Sequence, residues 1–365
     1  MNSKKILVVD DSAFMRKLVS EFLSEHPQLE VIAFGRNGQE AVKKALELQP
    51  DVITLDIEMP EMDGLEALKL IMEKQPCPVV MLSSLTKEGS ETTLKAIELG
   101  AVDFIAKPSG TISLDLHKIK DVLIEKVLAA SKANISMKPA LSAKPVTIQP
   151  PVNNRHSATN ANALRSQRWG EKMDKLVLIA TSTGGPRALQ HVVTKLPGSL
   201  PAPVVVVQHM PPGFTKSLSD RLDSLSDIRV KEGEDGEILQ NGTVYIAPGG
   251  KHLRLRKTGT SIVVSLDELA SEGGHRPSAN AMFRSAAEIS NVEKVTVIMT
   301  GMGSDGAEGL IKLKESGTVK AIAEAKETCV VYGMPKAAVA THLVDDVVPV
   351  DEIASAIVKH VYNKR

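Results

Sequence analysis

The sequence has few cysteines. Cys77 and Cys329 lie far apart in the chain and share no ligand-like spacing. A disulfide framework and a cysteine-based zinc site are therefore not expected, and two reduced thiols are the better interpretation.

Long apolar runs are also absent from the N-terminal region. The apolar run that follows Lys4 and Lys5 covers only residues 6–9. A run this short can form neither the core of a signal peptide nor a membrane span. We therefore expect a cytoplasmic protein that does not insert into a membrane.

The chain has no net charge, with 44 basic and 44 acidic residues, but the charge is unevenly distributed. Residues 1–130 contain 15 Lys/Arg and 21 Asp/Glu, residues 131–170 contain six basic and no acidic residues, and residues 171–365 contain 23 of each. No half of the chain is strongly basic, so nucleic acid is not an expected partner.

Length and composition divide the chain into two domains. At 365 residues two or three domains are expected. Residues 131–169 contain four prolines among Ser, Asn, Ala and Lys and have no helical or strand period, which is typical of a flexible linker. We predict a first domain over 1–125, a linker over 126–171 and a second domain over 172–365, in a monomeric protein.

Short apolar segments alternate with amphipathic ones in the first domain. Residues 6–9, 31–34, 52–55, 79–82 and 104–106 are the predicted strands. This alternation predicts an α/β fold, a doubly wound parallel sheet with helices on both faces.

Acidic residues follow two of these strands. Asp10 and Asp11 come after the first strand and Asp56 after the third. Because the carboxyl ends of parallel strands share one edge, we expect the three carboxylates to lie together, where they repel one another unless a cation is bound. Oxygen ligands of this kind suit Mg²⁺. Ser83 and Lys107 end the fourth and fifth strands and would complete a site for an acyl-phosphate on Asp56.

Three apolar runs of the second domain each lead to a residue with catalytic chemistry. Residues 176–180, 204–207 and 295–299 predict central strands of a second doubly wound parallel sheet, and Ser182, His209 and Asp305 follow them. A hydroxyl, an imidazole and a carboxylate at one sheet edge are the parts of a hydrolytic triad.

Ser182 alone is ambiguous. Its turn resembles half of a nucleophile elbow, but Ala180 stands where that pattern has its first glycine. A glycine-rich turn from strand to helix more often binds phosphate or simply turns the chain. His209 and Asp305, each in a similar turn, favour the triad.

Residues 1 to about 125 resemble a response-regulator receiver domain of the flavodoxin-like class. The resemblance rests on Asp10-Asp11, on the segment Asp-Ile-Glu-Met-Pro-Glu-Met-Asp-Gly over 56–64, and on Ser83 and Lys107-Pro108. It implies that a histidine kinase phosphorylates Asp56. It also implies that Asp10, Asp11, Asp56 and the backbone carbonyl of Glu58 bind Mg²⁺, and that Phe104 is an aromatic switch.

Residues 172 to about 362 resemble the Rossmann-like catalytic domain of the chemotaxis-specific protein-glutamate methylesterases, the CheB family. The matching segments are Ser-Thr-Gly-Gly (182–185), Gln-His-Met-Pro-Pro-Gly-Phe (208–214), Tyr-Ile-Ala-Pro-Gly (245–249), His-Arg-Pro-Ser (275–278) and Thr-Gly-Met-Gly-Ser-Asp-Gly (300–306).

The family resemblance implies a substrate and partners. The substrate would be a γ-glutamyl methyl ester on the cytoplasmic helices of a chemoreceptor, with methanol released and certain receptor glutamines also deamidated. Ser182 would be the nucleophile, His209 the general base and Asp305 its orienting acid, with the Met302 backbone N–H in the oxyanion hole and no cofactor for the ester chemistry. The histidine kinase CheA would be the phosphodonor.

Some interpretations stay open at this stage. His275 and Arg276 could contact substrate or hold a loop. Two rival functions are a receiver-controlled transcriptional regulator and a phosphate-binding module. The first would need a basic helix-turn-helix region, and the second would give His209 no role.

Overall fold

A computed structural model describes residues 3–107, 115–135 and 174–363. Pro108 and the predicted linker from residue 136 onward lie outside these ranges. Among the described residues no helix is both long and apolar enough to cross a membrane.

The first domain is a parallel sheet of five strands in the order β2-β1-β3-β4-β5. The strands are β1 (Lys4–Val9), β2 (Leu29–Gly35), β3 (Val52–Asp56), β4 (Val79–Ser83) and β5 (Asp103–Ala106). The helices are α1 (Ala13–Ser24), α2 (Gly38–Leu48), α3 (Gly64–Lys74), α4 (Lys87–Leu99) and α5 (Asp115–Ala130).

Successive apolar side chains of each strand point to opposite faces of the sheet, so a hydrophobic core forms on each face. Leu7 and Val9 pack with α2 and α3 on one face, whereas Ile6 and Val8 pack with α1 and α5 on the other. Helix α5 continues past residue 125, and Val127 and Ala130 in its last turns are buried in the core on this face of the sheet. The helix thus ends five residues after the predicted end of the first domain.

The second domain has a parallel sheet of seven strands in the order β14-β13-β12-β6-β7-β9-β8. Its strands are β6 (Lys175–Thr181), β7 (Val204–Gln208), β8 (Arg229–Glu232), β9 (Thr243–Ile246), β12 (Glu293–Ile298), β13 (Val319–Glu324) and β14 (Asp346–Val348). The helices are α6 (Gly185–Val193), α7 (Phe214–Leu225), α8 (Ala279–Ala287), α9 (Ala307–Glu315), α10 (Met334–Ala340) and α11 (Val350–Tyr362). A separate antiparallel pair, β10 (His252–Thr258) and β11 (Ser261–Asp267), was not predicted from the sequence.

Strand register brings the candidate catalytic turns to one edge. Thr181 at the end of β6 pairs with Gln208 at the end of β7, and Ala180 pairs with Ile298 at the end of β12. The three central strands therefore end at the same level. Ser182, His209 and the turn that contains Asp305 all begin at this edge.

Candidate active site

The turn that contains Ser182 is tight because two glycines allow it. Gly184 has φ +79°, and the N–H of Gly185 donates to the carbonyl of Ser182 over 2.7 Å. A Cβ at Gly185 would lie 1.9 Å from Oε1 of Gln208, so no side chain fits there. Ser182 is half-buried at the start of this strand-to-helix turn.

Buried Gln208 joins this turn to the segment that contains His209. Its Nε2 donates to the carbonyl oxygens of Ser182 at 3.0 Å and His209 at 3.3 Å, and its Oε1 accepts from the Thr181 hydroxyl. The N–H of His209 in turn donates to the Thr181 carbonyl over 3.2 Å. Sequence reasoning treated Gln208 only as part of a motif and missed this connecting role.

His209 and Asp305 form a hydrogen-bonded pair. Nε2 of His209 lies 2.8 Å from Oδ2 of Asp305, and both side chains are less than a tenth exposed. Asp305 also accepts hydrogen bonds from the N–H groups of Ala279 and Asn280 and from the Ser278 hydroxyl, at the N-terminus of α8. Burial alone would raise the pKa of the Asp305 carboxyl. The hydrogen bonds from His209 and from the helix outweigh burial and hold that pKa far below its usual range.

No direct hydrogen bond joins the Ser182 hydroxyl to His209. Nδ1 of His209 is buried and has no hydrogen-bond partner among the described residues. Ser182 instead packs on Gly301, where an added Cβ would lie 2.8 Å from the Ser182 Cβ. Met302, the predicted oxyanion donor, follows Gly301 directly in the chain.

Two buried polar residues behind the turns have roles that the sequence analysis did not assign. Thr300 accepts the N–H of Ser182 with its carbonyl, and its hydroxyl donates to the Thr183 carbonyl over 2.9 Å. The N–H of Thr300 donates to Glu324, which is fully buried, over 2.8 Å. Burial raises the pKa of the Glu324 carboxyl to about 7. Thr300 entered the sequence analysis only as the first residue of the segment 300–306, and Glu324 belongs to none of the segments identified there.

Arg276 holds a loop, which was one of its two predicted roles. Its Nη1 donates to the carbonyls of Glu268 at 2.7 Å and Leu269 at 3.1 Å. The ring of His275, in contrast, lies against the ring of His209 with centroids 3.9 Å apart. The two neighbours therefore have different surroundings.

The predicted acidic cluster is present in the first domain. Ligand oxygens of Asp10, Asp11 and Asp56 lie within 4.8 Å of one another. The Lys107 ammonium lies 2.9 Å from Asp10 and 2.6 Å from Asp56. Burial raises the pKa of the Asp56 carboxyl to about 6, although the Lys107 hydrogen bond opposes this, and the nearby Asp10 adds to it. The donor set fits a hard cation bound by oxygen ligands.

Ser83 and Glu58 lie beside this cluster with partners of their own. The Ser83 hydroxyl donates to the carbonyl of Gly89 in α4 over 3.1 Å, not to Asp56. A backbone hydrogen bond connects Glu58 to the Asp56 carboxylate, while the Glu58 side chain accepts from Ser84. The carbonyl of Ser83 accepts from the N–H of Lys107 over 2.7 Å, so Ser83 connects the Lys107 end of the cluster to α4.

The first domain packs directly against the candidate active site. Phe104, the predicted switch residue, stacks on Phe214 of α7 with ring centroids 4.5 Å apart. Asp103 accepts a 2.5 Å hydrogen bond from Thr183, which is next to Ser182, and pairs with Lys126 at 2.6 Å.

Helices α4, α5 and α7 extend this contact. Burial raises the pKa of the Glu125 carboxyl in α5, and the charges of Lys126 and His209 oppose this. At the other end of the interface, Ser90 of α4 hydrogen-bonds Ser217 of α7 over 2.6 Å, and Arg221 pairs with Glu98 at 2.9 Å.

Fold and site together define a two-domain response regulator whose second domain is an α/β unit with a Ser/His/Asp site. Residues 177–357 match the family model described as CheB methylesterase, and residues 6–117 match the response regulator receiver domain. The chain is similar to the catalytic domain of Thermotoga maritima CheB methylesterase, with TM-score 0.50 and 47% identity, covering 51% of this chain and 98% of that one.

Full-length relatives extend the match to both domains. The chain is 57% identical to the protein-glutamate methylesterase/protein-glutamine glutaminase of Geobacillus kaustophilus, over 98% of this chain and 99% of that protein. It is 52% identical to the protein of the same name from Bacillus subtilis, over 99% of both. The chain therefore belongs to the protein-glutamate methylesterase/protein-glutamine glutaminase family.

Proposed function

We propose that this protein hydrolyses γ-glutamyl methyl esters on the cytoplasmic helices of chemoreceptors, releasing methanol, under the control of its receiver domain. The observation that carries the proposal is the buried His209–Asp305 pair beside the Ser182 turn. A transcriptional output is not supported, because the second domain is an α/β unit without a basic helix-turn-helix region in its described residues.

The chemistry follows from the three side chains. Ser182 Oγ attacks the ester carbonyl and passes its proton to His209, whose Nδ1 has no hydrogen-bond partner among the described residues, while its Nε2 is held by Asp305. Asp305 stabilises the imidazolium, and backbone N–H groups, including that of Met302, stabilise the oxyanion. His209 then protonates the departing methoxide, and water hydrolyses the acyl-enzyme to glutamate.

Methanol release from methylated receptor tests this function. Wild-type protein should release methanol, whereas Ser182→Ala should release it no faster than buffer. Ser304→Ala, an exposed serine in the turn before Asp305, is the matched control and should keep wild-type activity. Equal methanol release by wild type and Ser182→Ala would contradict the assignment.

Deamidation of receptor glutamines is the second proposed activity. The same acyl-enzyme forms when an amide replaces the ester, with ammonia as the leaving group. The names of the two full-length relatives include a glutaminase activity. Ammonia release from receptor with glutamine at the modification sites, absent in Ser182→Ala, would support it.

The receiver is proposed to accept a phosphoryl group from the histidine kinase CheA on Asp56. Bound Mg²⁺ would neutralise charge between Asp56 and the phosphoryl oxygens, with Asp10, Asp11, Asp56 and the Glu58 carbonyl as ligands. A small phosphodonor should label wild type but not Asp56→Asn, and a chelator should prevent labelling. Labelling of Asp56→Asn at the wild-type level would refute this site.

We propose that the receiver controls the esterase, and the contact between the domains supports this. The receiver packs next to the Ser182 turn and His209, where it would restrict access to them. Phosphorylation of Asp56 would draw Ser83 away from α4 and turn Phe104 from its stack on Phe214. Both changes alter the docking face, and we propose that they release the catalytic domain.

A further inference from the structure

His275 is presented to the active site by a short, rigid hairpin. The N–H of Glu272 donates to the His275 carbonyl over 3.1 Å, and the N–H of His275 donates back to the Glu272 carbonyl over 3.0 Å. Gly273 and Gly274 make the turn with φ +58° and +87°, values that glycine adopts without strain. Glu272 is itself paired with Arg284 of α8. The hairpin hydrogen bonds therefore hold the backbone of His275 in place without any contribution from its side chain.

The His275 ring covers one face of the candidate general base. The two imidazoles are stacked, with an interplanar angle of 10° and centroids 3.9 Å apart. The His209 side chain is only 7% exposed, so this stack is part of what excludes water from it. Three to five residues after His275 in the chain, residues 278–280 hold the Asp305 carboxylate through three hydrogen bonds. One segment thus contacts both members of the His209–Asp305 pair.

The environment keeps His275 uncharged. The pKa of the His275 imidazole is lowered to about 4, mainly by burial and also by His209 and by Lys126 of the first domain, while Asp305 opposes them. A neutral aromatic ring can stabilise a cation that lies against its face, whereas a second imidazolium would repel it. His209 becomes such a cation when it takes the serine proton.

We propose that His275 is a positioning residue of the esterase, which holds the His209 ring in the plane of its Asp305 hydrogen bond and stabilises the imidazolium through the stack. The proposal rests on the proposed esterase function. This positioning role requires a flat, neutral ring at residue 275 and does not require a ring nitrogen that forms hydrogen bonds. His275→Phe should therefore replace the natural residue, whereas His275→Ala should not.

The test uses the full-length protein with a small phosphodonor and receptor that contains isotopically labelled methyl esters. We expect His275→Ala to lower kcat about 10-fold, with KM changed less than about twofold, because the lost interaction acts on the protonated state of His209. His275→Phe should stay within about threefold of wild type. Its pH profile should also keep the wild-type shape, since His275 does not titrate near neutral pH. His26→Ala, a histidine of the receiver that accepts from the Gln28 N–H, is the matched control.

A second readout does not depend on turnover. The proton between His209 Nε2 and Asp305 Oδ2 should give a downfield resonance in ¹H NMR spectra of ¹⁵N-histidine-labelled protein. We expect this resonance in wild type and His275→Phe, and its broadening or loss in His275→Ala. Thermal unfolding midpoints would show that the variants are folded.

The outcomes separate the two proposals. Wild-type kcat together with an unchanged resonance in His275→Ala would overturn the positioning role. Loss of kcat in His275→Phe as large as in His275→Ala, with both resonances intact, would also overturn it, because a ring nitrogen would then be required. If wild type released no methanol, the esterase function would fail. The resonance would still test whether His275 orients His209.

Discussion

At the scale of single residues, the charge of Asp305 is set by helix α8 as well as by His209. The carboxylate accepts from two backbone N–H groups at the positive end of the helix dipole. It therefore stays ionised and can stabilise an imidazolium throughout the reaction.

Asp305→Asn should remove this stabilisation while preserving the fold. We expect turnover to fall about 10³–10⁴-fold, because an amide cannot enforce the same tautomer of His209. Ser182→Ala and His209→Ala should be comparably inactive, and their combination little worse than either alone, since residues that act as a unit are not additive. Methanol release by each variant measures this. Near-normal turnover in His209→Ala would disprove the triad.

The buried carboxyl of Glu324 should make the stability of the second domain against unfolding depend on pH. The pKa of this carboxyl is raised from 4.5 to about 7 in the folded protein. The stability that the protonated group contributes is therefore present below pH 4.5 and is lost as the pH rises through 7. Relative to Glu324→Gln, wild type should lose up to about 3 kcal/mol between pH 4.5 and pH 8.

Denaturant unfolding of both proteins across this pH range provides the measurement. Exposed Glu315→Gln is the matched control and should show no such divergence from wild type. Parallel curves for wild type and Glu324→Gln would show that Glu324 does not titrate in this range.

At the scale of elements, the turn after β12 requires its first glycine. A Cβ at Gly301 would lie 2.4 Å from Met334 Sδ and 2.8 Å from the Ser182 Cβ. Gly301→Ala must therefore displace the nucleophile or α10, and we expect activity to fall at least about 10²-fold because small misplacements of reacting groups are costly.

A second glycine provides the comparison for Gly301→Ala. At Gly233 the nearest atom to an added Cβ is Leu253 Cδ1, the flexible end of a side chain, at 3.1 Å. Gly233→Ala should keep most activity. Steady-state methanol release by the two variants would measure the difference, and equal activity would show that the Ser182–Gly301 contact is not critical.

The parallel strands and the residues that follow them were the features most open to prediction. Both sheets were expected from short apolar runs, and family comparison and coordinates confirm the two-domain α/β fold. Ser182, His209 and Asp305 each follow the end of a predicted strand. Because the carboxyl ends of parallel strands lie at one edge of the sheet, the sequence predicts that these residues are neighbours.

Other parts of the site could not be predicted, because they depend on contacts between distant segments. Thr300 and Glu324 meet across β12 and β13, and the stack of His275 on His209 needs the glycine hairpin to be folded. No periodicity in the sequence encodes such pairings. The β10–β11 pair was missed for the same reason, since its strands do not follow the strand–helix alternation that was used.

At the scale of the whole molecule, the receiver packs against the candidate active site, and if it restricts access as proposed, its removal should activate the enzyme. A fragment lacking residues 1–130 should be active without phosphodonor, whereas full-length protein should need it. Because the two domains belong to one chain, each is present at a high effective concentration near the other, so even weak docking is well populated. Methanol release by the fragment and by the full-length protein, each measured with and without phosphodonor, tests this prediction. A fragment no faster than unphosphorylated full-length protein would show that the receiver activates or targets the enzyme.

The polar contact at Asp103 should couple docking to phosphorylation in both directions. Asp103 is buried and bonded to Thr183 and Lys126, and hydrogen bonds to charged groups contribute about 1.5–3 kcal/mol. Asp103→Asn should therefore weaken docking about 10–100-fold and raise activity in the absence of phosphodonor. Arg221→Ala, which removes a partly exposed pair worth about 0–1 kcal/mol, should raise it far less.

Thermodynamic linkage gives this prediction a second test. If phosphorylation of Asp56 weakens docking, docking must disfavour phosphorylation of Asp56 by the same factor. At equal phosphodonor concentration, Asp103→Asn should therefore reach a higher level of Asp56 phosphorylation than wild type, approaching the level of the isolated receiver. The comparison is made on phosphorylated fractions at steady state. Higher basal esterase activity without a rise in phosphorylation would mean that docking blocks the active site but is not linked to the state of Asp56.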